Sequence, residues 1–459
     1  MKLHSIHLRH AHHFADLKIK FTYLHKPITL ILGAQSSGKT AILKNIYQSL
    51  TWFSARLKDL RTAGVVMPDA DIMQNRVQSK IEISVQIPHD IGSLPESSNA
   101  EEKDISRCTW KLYKTINSNG VGFSKVDTSQ LEQMTTLYNA AITQDPLLGL
   151  PLIAYYPTDR FVNEMNLLSK NNPTVFQTHS AYELAALPYT TFARFFEWLR
   201  EVSDIENAQT AQLFQQILDE SESKHLIVSD ESNAELMGSL FQAQAQLHHP
   251  SLTALKTALN AVLPDITDLY LEYQPKLQLM VTYQGESIPF SQLSNSLRNW
   301  TALVGDVVRR LCLLNPKSLF PCLEGDGILL IDNIDAQLDQ DMTQNILERL
   351  HQAFPNIQII ATGCSDNLLE HASGYQYFKL DQQRLEEIDL NENQMVLEDL
   401  YQSLLNVTPS STEAPLIEPE SMDLSVQKVY DQVQQLSHEQ QQLLLQMIRG
   451  DDSLTSAQI

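Results

Sequence analysis

The sequence predicts an α/β fold organised around a parallel sheet, and three observations predict it. An apolar run, Ile28 to Leu32, ends in Gly33-Ala34-Gln35-Ser36-Ser37-Gly38-Lys39-Thr40, the spacing G-x-x-x-x-G-K-T, and a helix-forming stretch follows over 41–47. A second apolar run, Gly327 to Ile331, ends in Asp332. A helix over 341–353 then leads into a third apolar run, Ile357 to Ala361. Strand–helix–strand alternation of this kind builds a parallel sheet with helices on its faces.

The residue types around the first run have a chemical reason. A loop between a strand and a helix can wrap phosphate oxygens with backbone N–H groups, so glycines stand where side chains would collide. The helix N-terminus adds its positive dipole end. In such a loop Lys39 reaches the β- and γ-phosphates and the Thr40 hydroxyl ligates Mg²⁺. Asp332, at the end of its own strand, holds the same ion. The expected ligands are therefore ATP and Mg²⁺, with Gly33, Gln35, Ser36, Ser37, Gly38, Lys39, Thr40 and Ala41 around the nucleotide.

Length and composition bound the alternatives. A chain of 459 residues has room for two or three domains. Its 33 basic and 55 acidic residues give a net charge of −22, so contact with nucleic acid needs a local patch or a partner. The four cysteines, Cys108, Cys312, Cys322 and Cys364, lack paired metal spacing and suit a reducing, cytoplasmic setting. No apolar h-region opens the chain, and no run approaches the ~18–20 apolar residues of a membrane span.

Along the chain, residues 1–32 read as two strands and a turn, with Leu3, Ile6 and Leu8, then Leu17, Ile19 and Phe21, on the apolar side. Five histidines crowd this stretch (His4, His7, His10, His12, His13). No carboxylate or cysteine stands at ligand spacing beside them, which favours a surface or nucleotide-edge role over a metal site. Residues 80–87 and 108–113 alternate as strands, and 88–106 read as a long exposed loop. A core strand over 152–157 stops at Pro157. Residues 160–263 read as helical, with Phe192, Phe195, Phe196 and Leu199 forming a packing seam. Ser251 starts a helix that stops before Pro264, and paired strands follow over 269–273 and 277–281. Ser294-Asn295-Ser296 opens a helix running to Leu314, a polar N-terminus suited to an anion. The organisation is thus an N-terminal lobe (1–159), a helical insertion (160–263), a C-terminal lobe (264–400), a linker (401–423) and an amphipathic helical tail (424–459).

Residues 1–375 resemble the RecF/SMC-like (ABC-type) ATPases, and within them a bacterial defence branch: the ATPases of Septu systems (PtuA type) and the related retron-associated ATPases. The resemblance rests on Gly33–Thr40, on 154–160, on 195–200 with 204–207, on Leu293-Ser294, on 329–338 and on 354–358. It implies an ABC/SMC-head-like P-loop NTPase with an inserted helical region and a small C-terminal helical segment. It also implies composite sites, in which Ser294 of one chain completes the phosphate site of another. Gln74, with Gln78, stands where such ATPases often carry a glutamine that senses Mg²⁺ and γ-phosphate; an ordinary surface glutamine is the competing reading.

The departures bear on activity. The glutamate that follows the strand-end aspartate in this family is Asn333 here, and its switch histidine is Cys364. The signature glycine is Ser296, and Gln337-Leu338-Asp339-Gln340 replaces a His-Leu-His-Pro. An amide accepts no proton near neutral pH, so general-base help worth ~10²–10⁴-fold is lost. Turnover through another residue, such as Asp335, is the competing reading. The function implied is that of an ATP-binding subunit of an anti-phage complex that senses or scaffolds and controls a separate nuclease. The partners implied are further copies of itself, an HNH nuclease, and a retron's reverse transcriptase with its RNA–DNA hybrid. The rivals are a DNA-repair or chromosome-maintenance ATPase and, less well supported, a transporter's nucleotide-binding subunit.

Overall fold

The computed structural model describes residues 1–23, 25–94, 106–117, 120–162, 178–182, 189–190, 192–223, 250–381 and 383–388, with positions 433, 436, 440, 441 and 444 in the tail. The strands are β1 (Lys2–Ala11), β2 (Phe14–Lys20), β3 (Ile28–Gly33), β4 (Gln78–Gln86), β5 (Arg107–Ile116), β6 (Gly122–Asp127), β7 (Leu152–Tyr156), β8 (Asp159–Arg160), β9 (Tyr189–Thr190), β10 (Ile266–Glu272), β11 (Gln278–Tyr283), β12 (Glu286–Pro289), β13 (Gly327–Ile331), β14 (Ile357–Gly363), β15 (Gln376–Asp381) and β16 (Arg384–Ile388). The helices are α1 (Lys39–Lys58), α2 (Ser129–Gln144), α3 (Ala193–Ser223), α4 (Pro250–Val262), α5 (Asn295–Leu314), α6 (Pro321–Glu324) and α7 (Gln340–Ala353).

Two large sheets carry the fold. One has the order β16-β15-β3-β14-β13-β7, and β15, β3, β14, β13 and β7 run parallel within it. Its central strands are largely apolar, as strands buried on both faces are, with Thr29, Gln358 and Thr362 as buried polar exceptions; Ile28, Leu30, Ile328, Leu330, Ile359 and Ile360 are fully buried. The register aligns Ile331 with Tyr156 and with Ala361, and Gly363 with Leu32. The C-terminal ends of β3, β13, β14 and β7 therefore open on one edge, where ligands bind in open α/β sheets.

The other large sheet is antiparallel, in the order β2-β1-β4-β5-β6. Its strands alternate, so Leu3, Ile6, Leu8, Ile81, Ile83, Trp110 and Leu112 turn inward. Trp110 donates its indole N–H to the Ser49 carbonyl at 3.0 Å, tying this sheet to α1. A three-stranded sheet, β10-β11-β12, and the short pair β8-β9 complete the set.

From Asn299 onward helix α5 is largely buried. Phe195 lies so close to Gly305 that a Cβ there would strike its ring, and Phe196 meets Phe290 edge-on at 5.7 Å. The aromatic run near 195 is thus a packing seam. Inside it, Asp306 accepts from Arg309 (2.9 Å), Arg310 (2.7 Å) and the Tyr156 hydroxyl (2.8 Å). Burial alone would raise this carboxyl, but the two guanidiniums hold it well below the usual carboxylate range.

Some expectations need correction. The start of the 88–106 stretch is not wholly exposed, since Ile91 and Leu94 are buried; residues 95–105 lie outside the described residues. Helices α2 and α6 and strands β6, β8, β9, β12, β15 and β16 were not anticipated, and β9 falls within the stretch 160–263 expected to be helical. By its internal contacts the chain divides into Met1–Glu387 and Ile388–Ile459, so the helices at 193–223 and 250–262 share one unit with both ATPase lobes. The expected linker, and most of the expected tail and of the insertion between 163 and 249, lie outside the described residues.

Candidate functional site: a phosphate cleft and a carboxylate hub

The loop from β3 to α1 is shaped by its two glycines. Gly38 has φ 106°, and a Cβ there would strike both the His13 ring and Phe14. A Cβ at Gly33 would strike the Leu380 carbonyl oxygen. Lys39 is buried and folds back over the loop, donating to the carbonyls of Gly33 (2.5 Å) and Ala34 (2.8 Å). A cleft of about 360 Å³ opens here, lined by His12, His13, Ser36, Ser37, Gly38, Lys39, Thr40, Ala41 and Lys44.

The β1–β2 turn forms the far wall. His13 Nε2 lies 3.1 Å from the Ser37 carbonyl oxygen, and His12 Nδ1 lies 3.7 Å from Asp71. Burial lowers the His12 pKa; Asp71 opposes this, while Lys44 and His13 add to it, so the ring is neutral at pH 7. Two histidines thus sit at the cleft. Among the described residues no group of three or more His, Cys, Asp or Glu could hold a metal by itself.

Asp332 forms a hub one residue beyond β13. Only 1% exposed, it accepts from Thr40 Oγ1 (2.7 Å) and Thr158 Oγ1 (2.9 Å) on Oδ2, and from Thr362 Oγ1 (2.6 Å) on Oδ1. Beneath it, buried Arg160 donates to the backbone carbonyls of Pro157 (3.0 Å), Asp332 (2.7 Å) and Asn333 (3.0 Å). Burial lowers the Arg160 pKa to about 10 against the pull of Asp332 and Asp335, so it stays charged at neutral pH. Its guanidinium lies 5.7 Å from the centre of the Trp300 ring, which carries the contact into α5.

The two divergent positions meet. Asn333 sits at φ 50°, its N–H donates to Thr362 Oγ1 (2.9 Å), and its Oδ1 lies 3.7 Å from Cys364 Sγ. Asp335 accepts from the backbone N–H groups of Cys364 (2.8 Å) and Ser365 (2.7 Å) on Oδ2, and its buried Oδ1 has no hydrogen-bond partner. Ser294 caps α5, accepting from the Leu297 N–H at 3.3 Å, and is exposed away from the cleft lining. Gln74 lies exposed on the loop before β4 and does not line the cleft. Sequence reasoning gave no role to Thr158, Arg160, Thr362 or Lys44. The signal for the first three was their position just beyond, or at the end of, a buried parallel strand.

The residues fit a bound polyphosphate. The cleft holds a buried cation, a helix N-terminus, and the buried Ser37 hydroxyl, which has no hydrogen-bond partner. Residues 5–267, more than half the chain, match the AAA domain family. The chain belongs to that family. The chain is also similar to two curated proteins: "Retron Ec83 probable ATPase" of Escherichia coli, 25% identical over 393 residues, and "Retron Vc95 probable ATPase" of Vibrio cholerae serotype O1 biovar El Tor, 27% identical over 366. The alignments cover 79% and 75% of this chain and 68% and 66% of those proteins, so the chain spans about two thirds of their length. Among solved structures it is similar to an Smc head bound to the C-terminal winged-helix domain of ScpA (12% identity, TM-score 0.44, 86% of this chain and all of that one). It is similar also to an Smc head with an extended coiled coil bound to the C-terminal domain of ScpA, derived from Pyrococcus furiosus (14%, TM-score 0.46, 87% and 99%).

Proposed function

We propose that this chain binds Mg·ATP as a conformational ligand within an anti-phage defence assembly and turns it over weakly or not at all. The observation that carries the reading is the hydrogen bond between Thr40 and Asp332, 292 residues apart in sequence. It joins the hydroxyl and the carboxylate that a Mg²⁺ ion shares with nucleotide phosphates. Gly33, Ser37, Gly38, Lys39 and Ala41 would hold the phosphates; the metal, when bound, would neutralise their charge. Weak turnover is supported by Asn333, whose amide cannot act as a base.

The names of the retron relatives support the defence context, and the Septu (PtuA-type) kinship belongs to the same proposal. The chain would pair with a second copy through Ser294 and act on a separate HNH-type nuclease, with a reverse transcriptase and RNA–DNA hybrid as further members. Isothermal calorimetry on the full chain tests the binding step. Lys39→Ala removes a charge-assisted hydrogen bond worth roughly 1.5–3 kcal/mol, which lowers affinity about ten- to a hundred-fold. Equal Mg·ATP affinity for both proteins would overturn the reading.

A further inference from the structure

In a chain of net charge −22, one face carries the opposite sign. The antiparallel sheet turns its apolar residues inward, so the alternate positions form an outer face five strands wide, roughly 19 Å at the usual strand spacing. The register arranges that face in rows. One row reads Lys18, His7, Glu82, Lys111, Asp127, and the next reads Asp16, Arg9, Lys80, Tyr113, Lys125. A third, Lys20, Ser5, Ser84, Thr109, adds a cation and no acid.

Six lysine and arginine side chains thus face three carboxylates. Glu82 is shared between Lys80 (2.7 Å) and Lys111 (3.9 Å), and Asp16 is held by His7 at 2.5 Å. Lys18, Lys20 and Lys125 are exposed at the rim of the face. Aromatic planes lie among these charges. Lys80 stands over the Tyr113 ring at 5.9 Å, and Phe123, two residues from Lys125 on the same side of β6, is 54% exposed.

We propose that this face binds single-stranded nucleic acid, its cations on the phosphates and Phe123 and Tyr113 against unpaired bases. The pairing of cations with aromatic rings, Phe123 exposed and Tyr113 half-buried, selects that occupant. An acidic peptide would answer the charges and leave the rings in water, and a duplex hides the base planes that stack. Cations held on a folded sheet also concentrate attraction that the acidic chain as a whole lacks. The inference is independent of the nucleotide site, which lies at the edge of the other sheet.

Fluorescence anisotropy of end-labelled 20-mer oligothymidylate and oligouridylate, titrated with the full chain, tests it. Reversing the three rim lysines (Lys18→Glu, Lys20→Glu, Lys125→Glu) should weaken binding at least tenfold. It should also flatten the plot of log K against log salt by about 0.7 for each phosphate that no longer meets a lysine. Phe123→Ala, at an exposed position, should weaken binding to the strands about tenfold and leave binding to a 20-base-pair duplex unchanged. Mg·ATP binding and melting temperature serve as the folding controls for both variants. The proposal is overturned if the wild type leaves the oligonucleotides free, or if the lysine variant binds as the wild type does. A duplex that binds as tightly as the strands, or poly-glutamate that displaces them as well as unlabelled oligonucleotide, overturns it too.

Discussion

Asn333 concentrates what is unusual about this site in one side chain. Its φ of 50° is a conformation that asparagine tolerates better than most residues, and its Oδ1 lies beside Cys364. Asn333→Glu should restore a proton acceptor and raise the steady-state ATPase rate by ~10²–10⁴-fold. The same change should cost roughly 1–2 kcal/mol of stability, because glutamate is less at ease in a left-handed conformation. Phosphate-release kinetics and a thermal melt measure the two effects separately. A folded variant that binds Mg·ATP and hydrolyses it no faster would show that this position is not the missing base. At this scale the sequence was legible where a motif fixes spacing: Thr40 meets Asp332, and Asn333 meets Cys364. Thr158, Arg160 and Thr362 were not legible in role, because each matters only through which strand ends the sheet aligns.

Helix α5 links the site to whatever lies beyond it. Its Trp300 faces Arg160, its Asn299 donates to Gln337 at 3.1 Å, and its Asp306 holds Tyr156 at the end of β7. Removing one member of such a buried charged cluster typically costs about 3–5 kcal/mol, so α5 is fastened to the strand ends. Its N-terminus, by contrast, is exposed, with Ser294 making a single capping bond. That contrast permits a clean substitution. Aspartate caps a helix as well as serine does, so Ser294→Asp should leave the melting temperature within a few degrees of wild type. If Ser294 meets the phosphates of a second copy, the added negative charge should oppose association by several kcal/mol. Light scattering in saturating Mg·ATP should then report monomer where the wild type reports a larger species. Unchanged oligomers would remove Ser294 from any shared site. Helices and strands with strong apolar periodicity, such as those at 28–33, 295–314 and 357–363, were legible in the sequence. Helix α2 was missed because Leu131, Met134, Tyr138 and Ala141 form a narrow apolar stripe among threonines and glutamines, a weak signal without the sheet it covers.

For the whole molecule, the nucleotide cleft, the Asp332 hub and the cationic sheet face all fall within Met1–Glu387, one of the two compact units. The sequence predicts a linker over 401–423, from its shift to Pro, Ser and Glu, and an amphipathic strip beyond it. Such a strip cannot stay exposed in a stable soluble chain, since a contiguous apolar stripe seeks cover on its own body, a second copy or a partner. A site assembled entirely from residues before 388 does not need that strip to bind nucleotide. Removing residues 424–459 should therefore leave the calorimetric Mg·ATP affinity within about twofold, while weakening self-association or capture of the proposed nuclease partner. The two readouts separate the possible covers. A truncated chain with normal assembly but a lowered melting temperature would mean that the strip packs on its own body. Lost assembly with an unchanged melt would mean that it reaches another chain. If neither changes, the interface belongs to the ATPase unit itself, where the exposed Ser294 end of α5 is the first surface to probe.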